Sequence, residues 1–139
     1  LQFPYYFREQ MFHNLLSERG YLVLDMDYRA SQGYGRDWRT AIYRNMGHPE
    51  LEDLIDGVNW LVKNHHGDPA RVGVYGWSYG GYAAQMGAIK EPGLYRCAVS
   101  IAGLSDLEVI ASQDARFYGG RDATRQATGT TELAALQQR

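Results

Sequence analysis

The stretch from Val72 to Tyr82 contains the pattern G-x-S-x-G, formed by Gly76, Ser78 and Gly80. In such a pattern the serine stands on a sharp turn between a strand and a helix, where its hydroxyl is clear of the backbone and can act as a nucleophile. We expect both glycines to lie where strand and helix approach too closely for side chains. The backbone N–H of Tyr79, at the start of the helix, is expected to donate to an oxyanion.

The residues on both sides of this pattern favour a strand–turn–helix arrangement. Residues 71–75 are short and β-branched, and the turn signal Asp68-Pro69 precedes them, as is typical of a buried strand. Residues 82–89 are mostly small, which allows a helix to sit close to a sheet. A glycine-rich turn with an incidental serine is the alternative that a short motif always leaves open.

The overall composition is that of one globular domain, and it excludes several classes of protein. The net charge of −2 gives no basic surface for nucleic acid. No apolar run approaches the roughly 20 residues that span a membrane. The single cysteine, Cys97, lies in an apolar run and is expected to be a buried small hydrophobe. The chain does not begin with Met, and its first residues are expected to come from the middle of a longer protein, which leaves the compartment open.

Helical and strand patterns alternate along the chain. Helices are predicted at residues 9–19, 50–64 and after Ser78, and strands at residues 21–27, 71–75 and 96–102. This alternation predicts an α/β fold, a three-layer α/β/α sandwich with a parallel sheet. Residues 28–38 form a polar loop after the first strand and are a candidate wall of the site, because sites in such folds are built at the carboxyl ends of strands. Asp53 and Asp56 are expected on the outer face of the second helix.

A serine nucleophile needs a general base, and the base needs an orienting acid. In α/β-hydrolases these follow the serine as Asp or Glu and then His, yet no histidine follows Ser78. Asp106 and Asp114 follow it, but Asp106 comes one strand too early for the triad acid, and neither is favoured. The four histidines all precede Ser78, and each is expected to be solvated or to cap a helix: His13, His48, His65 and His66. No H-x-x-x-H or E-x-x-H spacing indicates a metal site, and no cofactor is predicted.

Four stretches of the chain resemble the prolyl oligopeptidase family of serine peptidases (peptidase family S9). They are Gly76–Tyr82, similar to the family's nucleophile motif, Asp27–Gly35, similar to its Y-R-G-S-x-G-Y-G loop, Asp53–Leu61, similar to its D-x-x-D-G-x-x-W-L helix, and Ala102–Asp106, similar to its A-P-V-T/S-D strand end. The chain departs from these patterns at Ala30, where glycine is usual, and at Gly103, where proline is usual. The resemblance covers about residues 5–120.

The resemblance implies a serine-type peptidase that acts on peptide substrates through an acyl-enzyme. It makes Ser78 the nucleophile and the Tyr79 N–H one oxyanion donor. It places the second donor and a β-propeller upstream, and the triad Asp and His beyond Arg139, so that residues 1–139 are one partial catalytic domain. The isolated chain is then expected to be inactive. A substrate pocket is implied at Leu104, Leu107 and Ile110, where apolar but non-aromatic side chains argue against strict proline specificity.

Two other interpretations stay open. The same Ser-His-Asp chemistry also serves esterases and lipases of this fold. The chain could also be a product that folds or binds without catalysis. Leu107 and Ile110, spaced i and i+3, could equally be core residues.

Overall fold

The computed structural model describes residues 7–106 and, beyond them, the single positions 109, 112, 113, 116, 119, 122, 125, 128 and 129. The elements of this part, in chain order, are α1 (Phe7–Glu18), α2 (Arg36–Thr40), α3 (Pro49–His65), β1 (Gly73–Trp77), α4 (Tyr79–Lys90) and β2 (Cys97–Ile101). None of the described helices is long and apolar enough to cross a membrane.

The strands β1 and β2 are parallel and adjacent, with Gly73 opposite Cys97 and Trp77 opposite Ile101. The helix α4 connects them, as a crossover between parallel strands requires. The predicted strands at 71–75 and 96–102 are therefore confirmed, with bounds shifted by one or two residues. The predicted parallel pairing is also confirmed for these two.

Helices lie on both faces of this sheet. The residues opposite each other in the register, Gly76 and Ser100, share one face, and both contact α4. Tyr75 points to the other face because side chains alternate along a strand. There its ring meets Phe12 of α1 edge-on, with ring centroids 5.2 Å apart. The three-layer α/β/α arrangement is thus confirmed around two strands.

The predicted helix at residues 50–64 is confirmed as α3, which is one residue longer at each end. Pro49 occupies its first turn, where the missing N–H costs nothing, and His66 ends it in the left-handed conformation at φ 57°. Its apolar stripe is anchored by Leu51, which is buried. On α4 the buried hydrophobic residues are Tyr82, Ala83 and Ala84. The core therefore lies between α3, α4 and the sheet.

The predicted strand at 21–27 is wrong in the described structure, where residues 21–28 have no regular secondary structure. The apolar side chains of this segment do pack: Leu24 Cδ2 and Met26 Sδ lie 2.8 and 2.9 Å from the point where a Cβ on Gly57 would stand. A strand, however, is defined by a hydrogen-bonded neighbour, and this segment pairs with neither β1 nor β2. Apolar pattern alone could not supply that neighbour.

The expected burial of Cys97 is also wrong, because its side chain is exposed. Every residue of β2 is exposed, since the strand has one neighbour in the described sheet and its outer face is incompletely covered. The Cys97 Sγ lies over Gly73, 2.8 Å from the position of a Cβ there. An apolar run thus identified the strand but not its environment.

Candidate active site

Ser78 lies between the end of β1 and the start of α4, in a backbone conformation that L-residues rarely adopt. Its φ is 55° and its ψ −116°, outside the helix and strand regions. Tyr79 is the first residue of α4. The predicted elbow is confirmed, and the strain at a serine with this exposed position marks a candidate functional residue.

Backbone contacts hold the elbow against both neighbouring elements. The Ser78 N–H donates to the carbonyl oxygen of Ile101 at 2.9 Å, which ties the turn to the end of β2. The Ser78 carbonyl accepts from the Tyr82 N–H at 3.1 Å, which starts the hydrogen-bond ladder of α4. The Ser78 side chain makes no capping hydrogen bond to that helix. Its hydroxyl is therefore not used to cap α4.

The two glycines of the motif have different roles. A Cβ on Gly76 would lie 2.2 Å from the Gly80 carbonyl oxygen, so the expectation of a forbidden side chain holds at Gly76. A Cβ on Gly80 would meet no described atom within 4 Å, so that expectation is wrong at Gly80. Gly80 lies in the first turn of α4, where the side-chain direction leads away from β1.

A second close approach joins α4 to the segment after β2. A Cβ on Gly81 would lie 2.7 Å from the Gly103 Cα, and a Cβ on Gly103 would lie 2.2 Å from the Ser100 Oγ. Gln85 Nε2 donates to that Ser100 hydroxyl at 2.9 Å. The departure from proline at Gly103 therefore falls where the chain passes against the elbow helix.

The remaining predicted site residues divide between described and undescribed positions. The N–H of Tyr79 belongs to the first turn of α4, where backbone N–H groups have no partner within the helix. Leu104 is half-buried. Leu107 and Ile110 lie outside the described residues. Asp106 is exposed, and its Oδ1 accepts the Val109 N–H at 3.0 Å, a contact typical of helix capping rather than of a triad acid.

The Tyr79 side chain contacts a buried carboxylate that the sequence analysis did not single out. Its hydroxyl donates to Glu50 Oε1 at 2.6 Å, and the Gly47 N–H donates to the same oxygen at 2.5 Å. Glu50 is fully buried, and its other oxygen, Oε2, has no hydrogen-bond partner among the described residues. In the sequence Glu50 looks like an ordinary acidic residue in the first turn of a helix, and no neighbouring residue indicates that it is buried.

Three tyrosines surround this carboxylate, and their pKa values are all raised. Burial, then the hydrogen bond to Glu50, holds the pKa of Tyr79 well above its usual range. Burial and the nearby charge of Glu50 raise the pKa of Tyr82 to about 12. The same two causes raise the pKa of Tyr28. These phenols therefore stay neutral at physiological pH and can act only as hydrogen-bond donors or neutral acceptors.

The polar loop at residues 28–38, predicted as a wall of the site, is anchored to α3 through Arg29. The Arg29 guanidinium contacts Asp53 at 2.8 Å and Glu52 at 2.9 Å, and the Arg29 N–H donates to Asp53 Oδ2 at 2.7 Å. Asp53 is therefore half-buried and paired, and its expected place on the solvent-facing side of α3 is wrong. Asp56 is exposed as expected. The last three residues of the predicted loop, 36–38, belong to the short helix α2, which the sequence did not predict.

The expectation that each histidine is solvated or caps a helix is met only in part: His48, His65 and His66 are exposed at the ends of α3, whereas His13 is half-buried in the middle of α1. His13 packs on the Tyr75 ring at 6.3 Å, His48 precedes α3 without a capping hydrogen bond, and His65 and His66 end α3. Within residues 7–106, none of them hydrogen-bonds to Ser78. No group of three or more potential ligands that could hold a metal ion occurs in the described part of the chain.

Comparison with known proteins gives one consistent result. The model of the prolyl oligopeptidase family matches residues 6–137. The chain is 37% identical over 101 residues to dipeptidyl aminopeptidase BIII of Pseudoxanthomonas mexicana, covering 73% of this chain and 15% of that protein. It is 33% identical over 106 residues to human prolyl endopeptidase FAP, covering 76% of this chain and 14% of that protein.

Solved structures agree with these sequence matches at the level of the fold. The acylaminoacyl peptidase of Pyrococcus horikoshii superposes with a TM-score of 0.65 at 22% identity, covering 80% of this chain and 18% of that one. An acylaminoacyl peptidase in complex with Z-Gly-Gly-Phe-chloromethyl ketone superposes equally well, at 24% identity. The chain thus spans about 15% of the length of the curated relatives described above.

Proposed function

Because the chain belongs to the prolyl oligopeptidase family, we propose that it carries the nucleophile of a serine peptidase. The observation that supports this most directly is the geometry of Ser78: φ 55° at the junction of β1 and α4, with a hydroxyl that does not cap α4. In the proposed reaction Ser78 Oγ attacks the scissile carbonyl carbon and gives its proton to a general base. The C–N bond then breaks, the amine leaves with that proton, and water hydrolyses the acyl-enzyme.

The proposal gives Tyr79 the role of an oxyanion donor through its backbone N–H. This N–H lies in the first turn of α4, next to the nucleophile and at the positive end of the helix dipole. Such a donor acts on the charge that develops on the carbonyl oxygen, and losing one donor typically lowers kcat by about 10²–10³. The second donor is assigned to a residue outside this sequence.

The general base and its orienting acid are likewise assigned to residues outside the 139. No histidine follows Ser78, and no histidine of the described part contacts it. We propose that residues 1–139 are one part of a larger catalytic domain. Alone, this chain should turn over peptides and esters near the background rate, because the Ser78 proton has no acceptor.

Peptides are the proposed substrates, with an apolar side chain before the scissile bond. Leu104 is half-buried and directly follows Gly103, which contacts Gly81 of α4. Together with Leu107 and Ile110 it would give an aliphatic pocket. Aliphatic walls accept apolar residues of several shapes, so strict selection of proline is not part of the proposal.

The test compares the 139-residue chain with a complete catalytic domain that contains it, each with Ser78 and with Ser78→Ala. Short peptide amides and aminoacyl esters serve as substrates. We expect turnover only in the complete domain, with a loss of about 10⁴–10⁶ in kcat on Ser78→Ala. Ser17→Ala, an exposed serine on α1, is the matched control and should leave turnover unchanged. Turnover in the complete domain that survives Ser78→Ala would contradict the proposal, and hydrolysis of esters without amides would favour the esterase alternative.

A further inference from the structure

We propose that Glu50 is a positioning residue for the nucleophile elbow, an inference that rests on the serine peptidase function proposed above. Its carboxylate holds the side chain of Tyr79, whose backbone N–H is the proposed oxyanion donor. A single hydrogen bond therefore connects Glu50 to Tyr79, the residue whose backbone N–H would contact the reacting carbonyl oxygen. It would act through Tyr79 and not on the substrate.

The geometry of the contact suits this role. Tyr79 follows directly on the strained Ser78, so the first turn of α4 must hold an unusual backbone conformation in place. The hydroxyl of Tyr79 reaches Glu50 Oε1 at 2.6 Å, across 29 residues of sequence, and thus couples the start of α4 to the start of α3. A tyrosine held at both its backbone and its phenol has little freedom to rotate, and its N–H keeps its direction.

The carboxylate is itself held rigidly. The Gly47 N–H donates to the same oxygen at 2.5 Å, and Glu50 lies in the first turn of α3, where the helix dipole favours a negative charge. Lys90 Nζ donates to the Gly47 carbonyl at 2.5 Å, which fixes the loop that presents this N–H. Residues of α3, of α4 and of the loop between α2 and α3 therefore all help to hold the Glu50 carboxylate in place.

Stability does not explain why a carboxylate occupies this place. Glu50 is fully buried, and its Oε2 has no hydrogen-bond partner among the described residues. A buried charged group that is only partly satisfied is destabilising compared with a well-packed apolar side chain of similar volume. An oxygen acceptor at this position, in contrast, can fix the Tyr79 phenol, which an apolar side chain cannot do.

The test uses the complete peptidase that carries this segment, with kcat and KM measured separately for each variant. Glu50→Ala and Tyr79→Phe remove the same contact from its two sides. We expect each to lower kcat about tenfold, less than the loss of a whole oxyanion donor, and to leave KM within about twofold. The double variant should be no slower than the slower single one. Glu50→Gln keeps an acceptor oxygen and should restore most of kcat.

Tyr82→Phe is the matched control, since it removes a phenol from the same helix and the same cluster without breaking a hydrogen bond to Glu50. It should leave kcat unchanged. If Tyr79→Phe and Glu50→Ala lower only the melting temperature and leave kcat intact in the folded protein, the positioning role is refuted. If Glu50→Ala does not fold, Tyr79→Phe decides alone, because it leaves the carboxylate in place. Turnover that survives Ser78→Ala would instead refute the peptidase proposal, and the positioning role with it.

Discussion

Gly76 and Gly80 face each other across the elbow at a distance that tolerates a side chain on only one of them. A Cβ on Gly76 would lie 2.2 Å from the carbonyl oxygen of Gly80, 2.3 Å from its carbonyl carbon and 2.8 Å from its Cα. All three are backbone atoms, which cannot swing away as the end of a flexible side chain could. The sharp turn at Ser78 therefore requires glycine at position 76. Gly80 contributes the backbone atoms that lie too close to position 76 for a side chain there.

This asymmetry predicts opposite effects for two alanine substitutions. Gly76→Ala should lower the free energy of unfolding by about 3 kcal/mol, at the upper end of the range for overpacking, because backbone must move. Gly80→Ala should raise it by about 0.5–1 kcal/mol, since glycine in a helix is less favourable than alanine and the Cβ has open space. Urea denaturation of both variants measures the two changes. Equal destabilisation by both would contradict the structure.

Ala30 provides a stabilising substitution. Its φ is 117°, a conformation that only glycine adopts without strain, at the position where the family usually has glycine. The strain at a non-glycine residue of this kind is about 1–3 kcal/mol, while glycine would lower stability by about 0.4–1 kcal/mol through the unfolded chain. Ala30→Gly should therefore raise stability by about 1 kcal/mol, measurable by thermal unfolding. Ala83→Gly, in the interior of α4, is the control and should lower stability.

The elbow was predictable because its determinants are local. Gly76 and Ser78 lie two residues apart, and the sharp turn, the strand before it and the helix after it are all encoded within residues 72–90. The bounds of α3 were predictable to within one residue for the same reason, from the extent of its apolar stripe between Glu50 and Asn64. Signals of this kind act within a short segment and do not depend on which distant residues pack against it.

The errors concern residues whose state depends on distant parts of the chain. Residues 21–27 have the apolar pattern of a strand, but a strand also needs a neighbour, which pattern cannot provide. The sequence pattern predicts Asp53 on the solvent-facing side of α3, whereas in the structure it pairs with Arg29, 24 residues earlier. Glu50 was not predicted as a site residue because no residue near it in the sequence indicates that Tyr79 donates to it.

The outward face of the sheet, the face opposite α4, predicts that the isolated chain binds hydrophobic dyes. Its apolar side chains are between 37% and 53% exposed: Tyr75, Trp77, Val99 and Ile101. An exposed apolar surface of this kind binds hydrophobic dyes and promotes association. The 139-residue chain should therefore bind the dye ANS, and Val99→Thr should reduce the fluorescence while changing stability by less than about 0.5 kcal/mol.

Val74→Thr is the matched control for that experiment, because Val74 is half-buried on the face that packs against α4. It should lower stability by about 1 kcal/mol, because a hydroxyl replaces a buried methyl group, and it should not reduce dye binding. In a complete catalytic domain, Val99→Thr should become destabilising if other parts of the domain cover the outward face. No dye binding by the isolated chain would show that this face is covered within the 139 residues.

The tyrosines around Glu50 predict a loss of stability at high pH. The pKa of Tyr82 is raised from 10.0 to about 12 by burial and by the negative charge of Glu50, in that order. A raised pKa in the folded state means that the fold favours the neutral phenol, so this contribution to stability is complete below pH 10 and is lost as the pH rises through about 12. Tyr79, raised further by the same causes and by its hydrogen bond, acts in the same direction.

The measurement is a pH titration followed by phenolate absorbance at 295 nm and by far-ultraviolet circular dichroism. The tyrosines around Glu50 should ionise together with the loss of helical signal as the pH rises above 10. Tyr21, which is exposed, is the reference position for the variants. Tyr82→Phe should move this unfolding to higher pH, because one group that must remain neutral is gone, whereas Tyr21→Phe should not. Complete ionisation of all tyrosines near pH 10 without loss of helix would contradict the burial of the cluster, and with it the environment assigned to Glu50.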